Sequence, residues 1–261
     1  MAKTHLAVLG SPIEHSKSPL IHAAAYQALG LDWDYGRYRI EADEFSSFLR
    51  MRDSSWRGFS LTMPLKEVGF DLSVPSCPVA SATGIVNTLL HTDSGWEGYN
   101  TDSFGIQQAV RKHSPDAFDS ISVLGSGATA KSAIHAAKEL SPAAAISLYA
   151  RRRVEIDGIV SAPLEDFYSS EVRGLTISTL PGTVPHPSIS ASDNAVILDV
   201  AYNPWPSKLA SSWKPINRIS GIEMLLWQAL IQVRIFHYGD GSVKLPNESE
   251  VFQAMRASVQ A

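Results

Sequence analysis

Apolar residues fall into short runs separated by polar, turn-rich segments, and the runs alternate between strand-like and helix-like spacing. Residues 5–9 predict a short buried strand, the turn Gly10-Ser11-Pro12 follows, and Ser18-Pro19 opens a helical stretch over residues 20–29. A strand around 35–40, a helix around 43–51 and a strand around 58–61 continue the alternation, which predicts an α/β unit with a largely parallel sheet. At Ile121 the rhythm restarts with a strand over 121–124, a glycine turn, an Ala-rich helix over 128–140 and a strand over 146–149. Runs at 174–178 and 195–200 predict further parallel strands, with proline-rich loops at 181–187 and 204–206. The stretch 221–238 keeps helical spacing and ends at Gly239, so it predicts one long capped helix.

Composition narrows the function classes. The 261 residues are 44% hydrophobic and 18% charged, which is ordinary for a soluble globular protein of one or two modest domains. A net charge of -4 leaves no basic footprint for nucleic acid or for an anionic membrane surface. No window approaches the roughly 18 apolar residues of a membrane span. The single cysteine, Cys77, excludes an internal disulfide and fits a reducing cytoplasm; no Cys/His cluster has metal-site spacing. The first ten residues are too short and too soon interrupted for a signal segment. A small-molecule partner is the expectation, and both a monomer and a homodimer remain open.

The run Gly125-Ser126-Gly127-Ala128-Thr129-Ala130 matches G-x-G-x-x-A directly after a predicted strand and before a predicted helix, the context of a dinucleotide site. Gly125 permits the tight turn, Gly127 lets a pyrophosphate approach the backbone, and Ala130 lets the helix pack closely, while the helix N-terminus offers N–H groups to phosphate. The alternative is a glycine turn that serves only the fold. An NAD site usually carries an acid after the next strand; here stand Ala150-Arg151-Arg152-Arg153, whose guanidinium groups suit a 2′-phosphate and so favour NADP. A solvated basic loop is the plainer alternative.

Ser16 and Ser18 sit where the first helix begins. Ser18-Pro19 is an ordinary cap with proline at N1, and two hydroxyls at a helix N-terminus also form a cradle for a carboxylate. Thr62-Met63-Pro64-Leu65-Lys66 puts Lys66 in the first turn of a helix, where the macrodipole opposes a cation; that suits a group that takes a proton from an alcohol and returns it. Asp102, ahead of a helical stretch over 103–112, could simply cap it. Asn87, between small and apolar runs, and Gln228, inside the apolar last helix, are amides that burial would oblige to find partners, either backbone or a polyhydroxylated ligand.

Taken in order, these segments resemble the shikimate dehydrogenase family. The matching runs are Gly10-Ser11-Pro12-Ile13-Glu14-His15-Ser16-Lys17-Ser18-Pro19, Thr62-Met63-Pro64-Leu65-Lys66, Ile85-Val86-Asn87-Thr88-Leu89, Asn100-Thr101-Asp102, Gly125 to Ala130, and Gly221-Ile222-Glu223-Met224-Leu225 leading to Gln228-Ala229. The resemblance implies an α/β substrate domain over residues 1–102, to which helices at 219–261 return. It implies a Rossmann-like, doubly wound NADP domain over 103–218, with a cleft between the two. It further implies that Ser16 and Ser18 bind the substrate carboxylate, and that Thr62, Asn87, Asp102 and Gln228 bind ring hydroxyls with Tyr202 nearby. Lys66 with Asp102 would handle the proton, and the backbone at Val200 and Gly221 would lie by the nicotinamide. The implied reaction is the NADPH-dependent reduction of 3-dehydroshikimate to shikimate, with no metal. Quinate/shikimate dehydrogenase with NAD or NADP, and a non-catalytic dinucleotide sensor, are the alternatives. Three positions depart from the family pattern: Ser60 for an Asn, Ala150 for an Asn, and Thr129 for a Gly.

Overall fold

The computed structural model describes residues 3–114 and 116–260. The chain forms two compact units, Met1–Thr101 with Gln228–Ala261, and Asp102–Trp227.

The first unit runs β1 (Thr4–Gly10), α1 (Ser18–Ala28), β2 (Trp33–Arg39), α2 (Ala42–Arg50), β3 (Trp56–Leu61), α3 (Leu65–Asp71), β4 (Val74–Pro75), α4 (Pro78–Thr83), β5 (Thr88–Thr92) and β6 (Gly95–Tyr99). Its six-stranded sheet has the order β2-β1-β3-β5-β6-β4. β1 lies parallel to β2 and β3, but β5 runs antiparallel to both of its neighbours, β3 and β6, so the sheet is mixed rather than largely parallel. The reason is local: β5 and β6 are joined by only Asp93 and Ser94, with Thr92 opposite Gly95, and a link that short can only make a hairpin. Phe45, Phe59, Leu61, Leu65, Val86 and Leu89 form the core beneath this sheet. α1 begins at Ser18 with Lys17 at the cap position, and α3 begins at Leu65 with Pro64 at the cap position, so each proline sits one place away from the position its sequence suggested.

The second unit continues with α5 (Asp102–His113), β7 (Ser120–Leu124), α6 (Ala128–Leu140), β8 (Ala145–Ala150), β9 (Glu155–Ile156), β10 (Ile159–Val160), β11 (Ala162–Pro163), α7 (Leu164–Tyr168), β12 (Glu171–Val172), β13 (Leu175–Ser178), β14 (Ser190–Ala191), β15 (Val196–Asp199) and β16 (Arg218–Ser220). Its main sheet is parallel throughout, in the order β11-β8-β7-β13-β15-β16. The strands run outward from β7 to β8 and β11 on one side and to β13, β15 and β16 on the other. The order therefore reverses at the β7/β13 pair, and the carboxyl ends of these strands form the place where doubly wound sheets bind ligands.

The last long helix, α8 (Gly221–Tyr238), is shared between the units. The division falls between Trp227 and Gln228, within the helix rather than ahead of it. Met224 packs into the second unit's core with Val123, Ile177 and Leu198, whereas Gln228 and Gln232 turn to polar partners in the first unit. α9 (Glu248–Ala257) follows and packs on α1. Arg234 of α8 holds α9 in place by donating to Glu248 Oε2 at 2.7 Å and to the Gly241 carbonyl at 3.1 Å.

Candidate active site

In the first unit, backbone hydrogen bonds lace together the ends of the elements that carry the polar residues. The Thr62 N–H donates to the Leu9 carbonyl at 2.9 Å and Ser11 N–H to the Met63 carbonyl at 2.8 Å, which fixes the loop after β1 beside the start of α3. Val86 N–H donates to the Lys66 carbonyl at 3.0 Å, Leu61 N–H to the Asn87 carbonyl at 2.8 Å, and Asn87 N–H to the Tyr99 carbonyl at 3.0 Å. Thr62, Lys66, Asn87 and Thr101 are thereby gathered at one edge of the sheet without depending on side-chain packing. Lys66 is half-buried in the first turn of α3.

Asn87 is 1% exposed, and leaving its amide unpaired would cost on the order of 1–3 kcal/mol. Within the fold Oδ1 accepts from the Thr88 hydroxyl at 2.8 Å and from Thr101 N–H at 2.9 Å, and Nδ2 donates to Thr101 Oγ1 at 2.9 Å and, over a longer 3.3 Å, to Gln228 Oε1. The Thr101 hydroxyl lies 3.3 Å from the same Gln228 oxygen. Gln228 thus meets this cluster through its carbonyl oxygen. At the start of α1, Ser18 N–H donates to Ser16 Oγ at 3.3 Å; Ser18 is buried and Ser16 half-buried. Ser18 is the first helical residue rather than the cap, and Lys17 at the cap position makes no side-chain capping bond. Asp102, 3% exposed, opens α5 directly after Thr101.

Below this set lies a buried network that the sequence motifs did not signal. Gln232, one turn after Gln228, donates to the Asn87 carbonyl at 3.1 Å and to Thr88 Oγ1 at 2.9 Å, and accepts from Ser60 at 2.8 Å. His22 Nε2 stands 3.2 Å from the same Gln232 Oε1, and Tyr26 and Tyr35 complete the group through His22 Nδ1 and Ser60 Oγ. Burial pushes the His22 imidazole down to about 3, so it is neutral, and keeps both tyrosine hydroxyls protonated. Ser60 is therefore engaged by Tyr35 and Gln232 inside the fold. The available sequence signal was a second glutamine at i+4, within the apolar run 225–233 of α8.

In the second unit the glycine turn stands at the carboxyl end of β7, at the reversal of strand order. Gly125 has φ +115°, and a Cβ there would lie 2.2 Å from Thr179 Oγ1, so only glycine fits. Around Gly127, the cap residue of α6, a Cβ would meet nothing within 4 Å, which leaves the backbone open to a phosphate; Ser126 and Gly127 are exposed and Ala128 and Thr129 half-buried. Ala130 is fully buried in the core with Val123 and Ile134, the close packing its size was expected to allow. Replacing Gly125 with Ala is expected to weaken NADPH binding by about fivefold to 150-fold, because strain of about 1–3 kcal/mol falls on this turn. A fluorescence titration of the variant checks this.

Gly125 N–H donates to the Tyr149 carbonyl of β8 at 2.9 Å, so the turn and the segment after β8 share one end of the sheet. There Ala150 is buried, and Arg151, Arg152 and Arg153 are exposed with no acidic side chain in ion-pair contact among the described residues. These residues fit a phosphorylated dinucleotide. On the far side of the sheet, a Cβ on Gly221 would lie 2.1 Å from the Val200 carbonyl, so the two segments are in direct backbone contact. Tyr202 is half-buried on the loop that follows. Among the described residues no group of three or more His, Cys, Asp or Glu could hold a metal ion, and no helix is long and apolar enough to cross a membrane.

A glycine turn leading into a helix at the reversal of a parallel sheet is the arrangement of dinucleotide-binding α/β proteins, and here the first unit adds a buried array of amides and hydroxyls. The profile of the shikimate dehydrogenase substrate binding domain matches residues 8–89. The NADP(+) shikimate dehydrogenase of Methanococcoides burtonii is 32% identical over 254 residues, covering 90% of this chain and 92% of its own. The shikimate 5-dehydrogenase of Thermus thermophilus, solved with NADP(H) and shikimate, superimposes with a TM-score of 0.80 at 27% identity, covering 98% and 100% of the two chains. The Mycobacterium tuberculosis enzyme gives 0.74 at 30% identity, covering 97% and 99%. The chain belongs to the shikimate dehydrogenase family.

Proposed function

We propose that this chain interconverts 3-dehydroshikimate and shikimate with NADP, a step of aromatic amino acid biosynthesis, in a reducing cytoplasm and as a monomer or homodimer. The observation that carries this reading is the buried Asn87–Thr101–Gln228 cluster beside Thr62 and Lys66. It presents converging polar groups of the kind a ring bearing several hydroxyls would engage.

Bound NADP supplies or accepts the hydride. Ser16 and Ser18 hold the carboxylate of the substrate at the N-terminus of α1, and Thr62, Asn87 and Gln228 hold ring hydroxyls, with Tyr202 contributing near the ring. Lys66 gives a proton to the alkoxide oxygen during reduction and takes it back during oxidation, and Asp102 orients the Lys66 ammonium and the neighbouring hydroxyl. Gly125 to Ala130 hold the pyrophosphate, Ala150 to Arg153 the adenosine 2′-phosphate, and the backbone at Val200 and Gly221 the nicotinamide.

A four-way rate comparison of shikimate and quinate, each with NADP and NAD, tests this function. Shikimate with NADP is expected to be the fastest pair; preference for quinate with NAD would overturn the assignment, and binding of NADPH without turnover would make the protein a sensor. Replacing Arg151 and Arg152 together with Ala is expected to raise the KM for NADP by about tenfold to a hundredfold, a total loss of about 1.4–2.7 kcal/mol, which is the worth of one charge-assisted bond. The KM for NAD, which lacks the 2′-phosphate, should stay unchanged in the same assay.

A further inference from the structure

We propose that Gln232 and Thr88 are positioning residues for the substrate, setting which way the Asn87 amide faces. The inference rests on Asn87 contacting the substrate, as proposed above.

The direction of each hydrogen bond follows from one group that has no choice. The Asn87 backbone carbonyl can only accept, so the Gln232 side-chain atom 3.1 Å from it is the nitrogen. The same nitrogen lies 2.9 Å from Thr88 Oγ1, which therefore accepts, and the one proton of the Thr88 hydroxyl is directed to Asn87 Oδ1 at 2.8 Å. Asn87 Oδ1 is thus held on the Thr88 side, and Nδ2 faces Thr101 and Gln228 as a donor.

Gln232 cannot turn over to relax this order. Its Oε1 takes the Ser60 hydroxyl at 2.8 Å and His22 Nε2–H at 3.2 Å, so all four of its hydrogen-bonding positions are filled. Ser60 in turn accepts from the Tyr35 hydroxyl at 2.6 Å, and His22 Nδ1 accepts from Tyr26 at 3.2 Å. A flipped Gln232 would set its carbonyl against that of Asn87 and its N–H2 against two donors. Gln232 is 1% exposed and His22 and Thr88 are fully buried, so no water can substitute without a rearrangement. The order imposed on Gln232 is delivered to the Asn87 side chain through Thr88. Thr101 N–H supports the same orientation from the other side at 2.9 Å, so losing the Thr88 hydroxyl weakens the orientation without abolishing it.

Two Thr88 variants with near-native shape separate positioning from a purely structural role. Thr88→Val removes the hydroxyl and Thr88→Ser keeps it. Dissociation constants for shikimate and NADPH, KM, kcat and urea stability would be measured on each. Thr88→Val is expected to weaken shikimate binding about fivefold to tenfold, the worth of one neutral hydrogen bond, with NADPH affinity unchanged. Thr88→Ser is expected to stay within about twofold of the parent, because the hydroxyl is retained. Gln232→Glu, which keeps the shape but loses both N–H donors, should weaken shikimate binding in the same selective way. Shikimate binding by Thr88→Val as tight as that of the parent overturns the proposal, and so does a parallel loss of both ligands that tracks stability. A parent protein that binds NADPH but no shikimate would instead remove the substrate assignment on which the proposal stands.

Discussion

Replacing Lys66 with Ala is expected to lower kcat by about a hundredfold to ten-thousandfold, with KM for shikimate changing little. Lys66 is half-buried in the first turn of α3. Its backbone carbonyl is tied to Val86 N–H, so the side chain starts from a rigid point next to Asn87. Lys66→Arg keeps the charge but cannot give up its proton near neutral pH, so it should be nearly as slow as the alanine variant. Steady-state rates across pH separate the two ideas. Near-normal turnover by either variant would remove Lys66 from proton transfer and leave it as a substrate contact.

Stability should fall as the medium is made acidic, and His22 should carry a large part of the loss. The folded protein holds this imidazole neutral down to about pH 3, whereas the unfolded chain protonates it near its ordinary value of 6.5. Between those values the unfolded state binds one proton that the folded state refuses, which costs about 1.4 kcal/mol per pH unit as pH falls. The loss sets in around pH 6.5, reaches about 2 kcal/mol at pH 5 and about 4 kcal/mol at pH 3. Burial also holds His113 and His237 below their ordinary value, so the informative quantity is the difference between the parent and His22→Asn. Urea denaturation at pH 7 and pH 5 should show the parent losing about 2 kcal/mol more than the variant over that step. Equal losses would mean that His22 is protonated in the folded protein and that the hydrogen-bond order around Gln232 is different.

What the sequence revealed and what it hid divide along a physical line. The glycine turn and the helix after it were legible because a phosphate cradle demands a local pattern: Gly125 must have positive φ, and Ala130 must be small enough for the helix to reach the core. The long helix α8 was legible to its last residue because its apolar spacing is unbroken and Gly239 ends it. The β5–β6 hairpin was not, since Thr88–Thr92 and Gly95–Tyr99 lack clean alternation and their pairing depends on burial against β3. The place where α8 passes from one unit to the other was hidden too. Helical spacing marks which residues are apolar, and nothing in it says that Met224 and Gln228 serve different units. The polar residues themselves stood out one at a time, each with capping or core satisfaction as a rival explanation. Only the backbone lacing of Leu61, Lys66, Val86, Asn87 and Tyr99 brings three chain-distant segments together. His22 and the buried role of Thr88 went unnoticed, and Ser60 stood out only as a departure from the family pattern, because the Gln232 that joins them lies far along the chain; a buried hydroxyl or imidazole leaves no periodic trace.

A crystal structure of the protein with shikimate bound is the most direct measurement of the central proposal. The ring hydroxyls are expected on Thr62, Asn87 and Gln228, the carboxylate on Ser16 and Ser18, and the Lys66 ammonium within hydrogen-bonding distance of the hydroxyl that is oxidised. Shikimate bound elsewhere, or bound there with Lys66 turned away from every ring hydroxyl, would contradict the assignment.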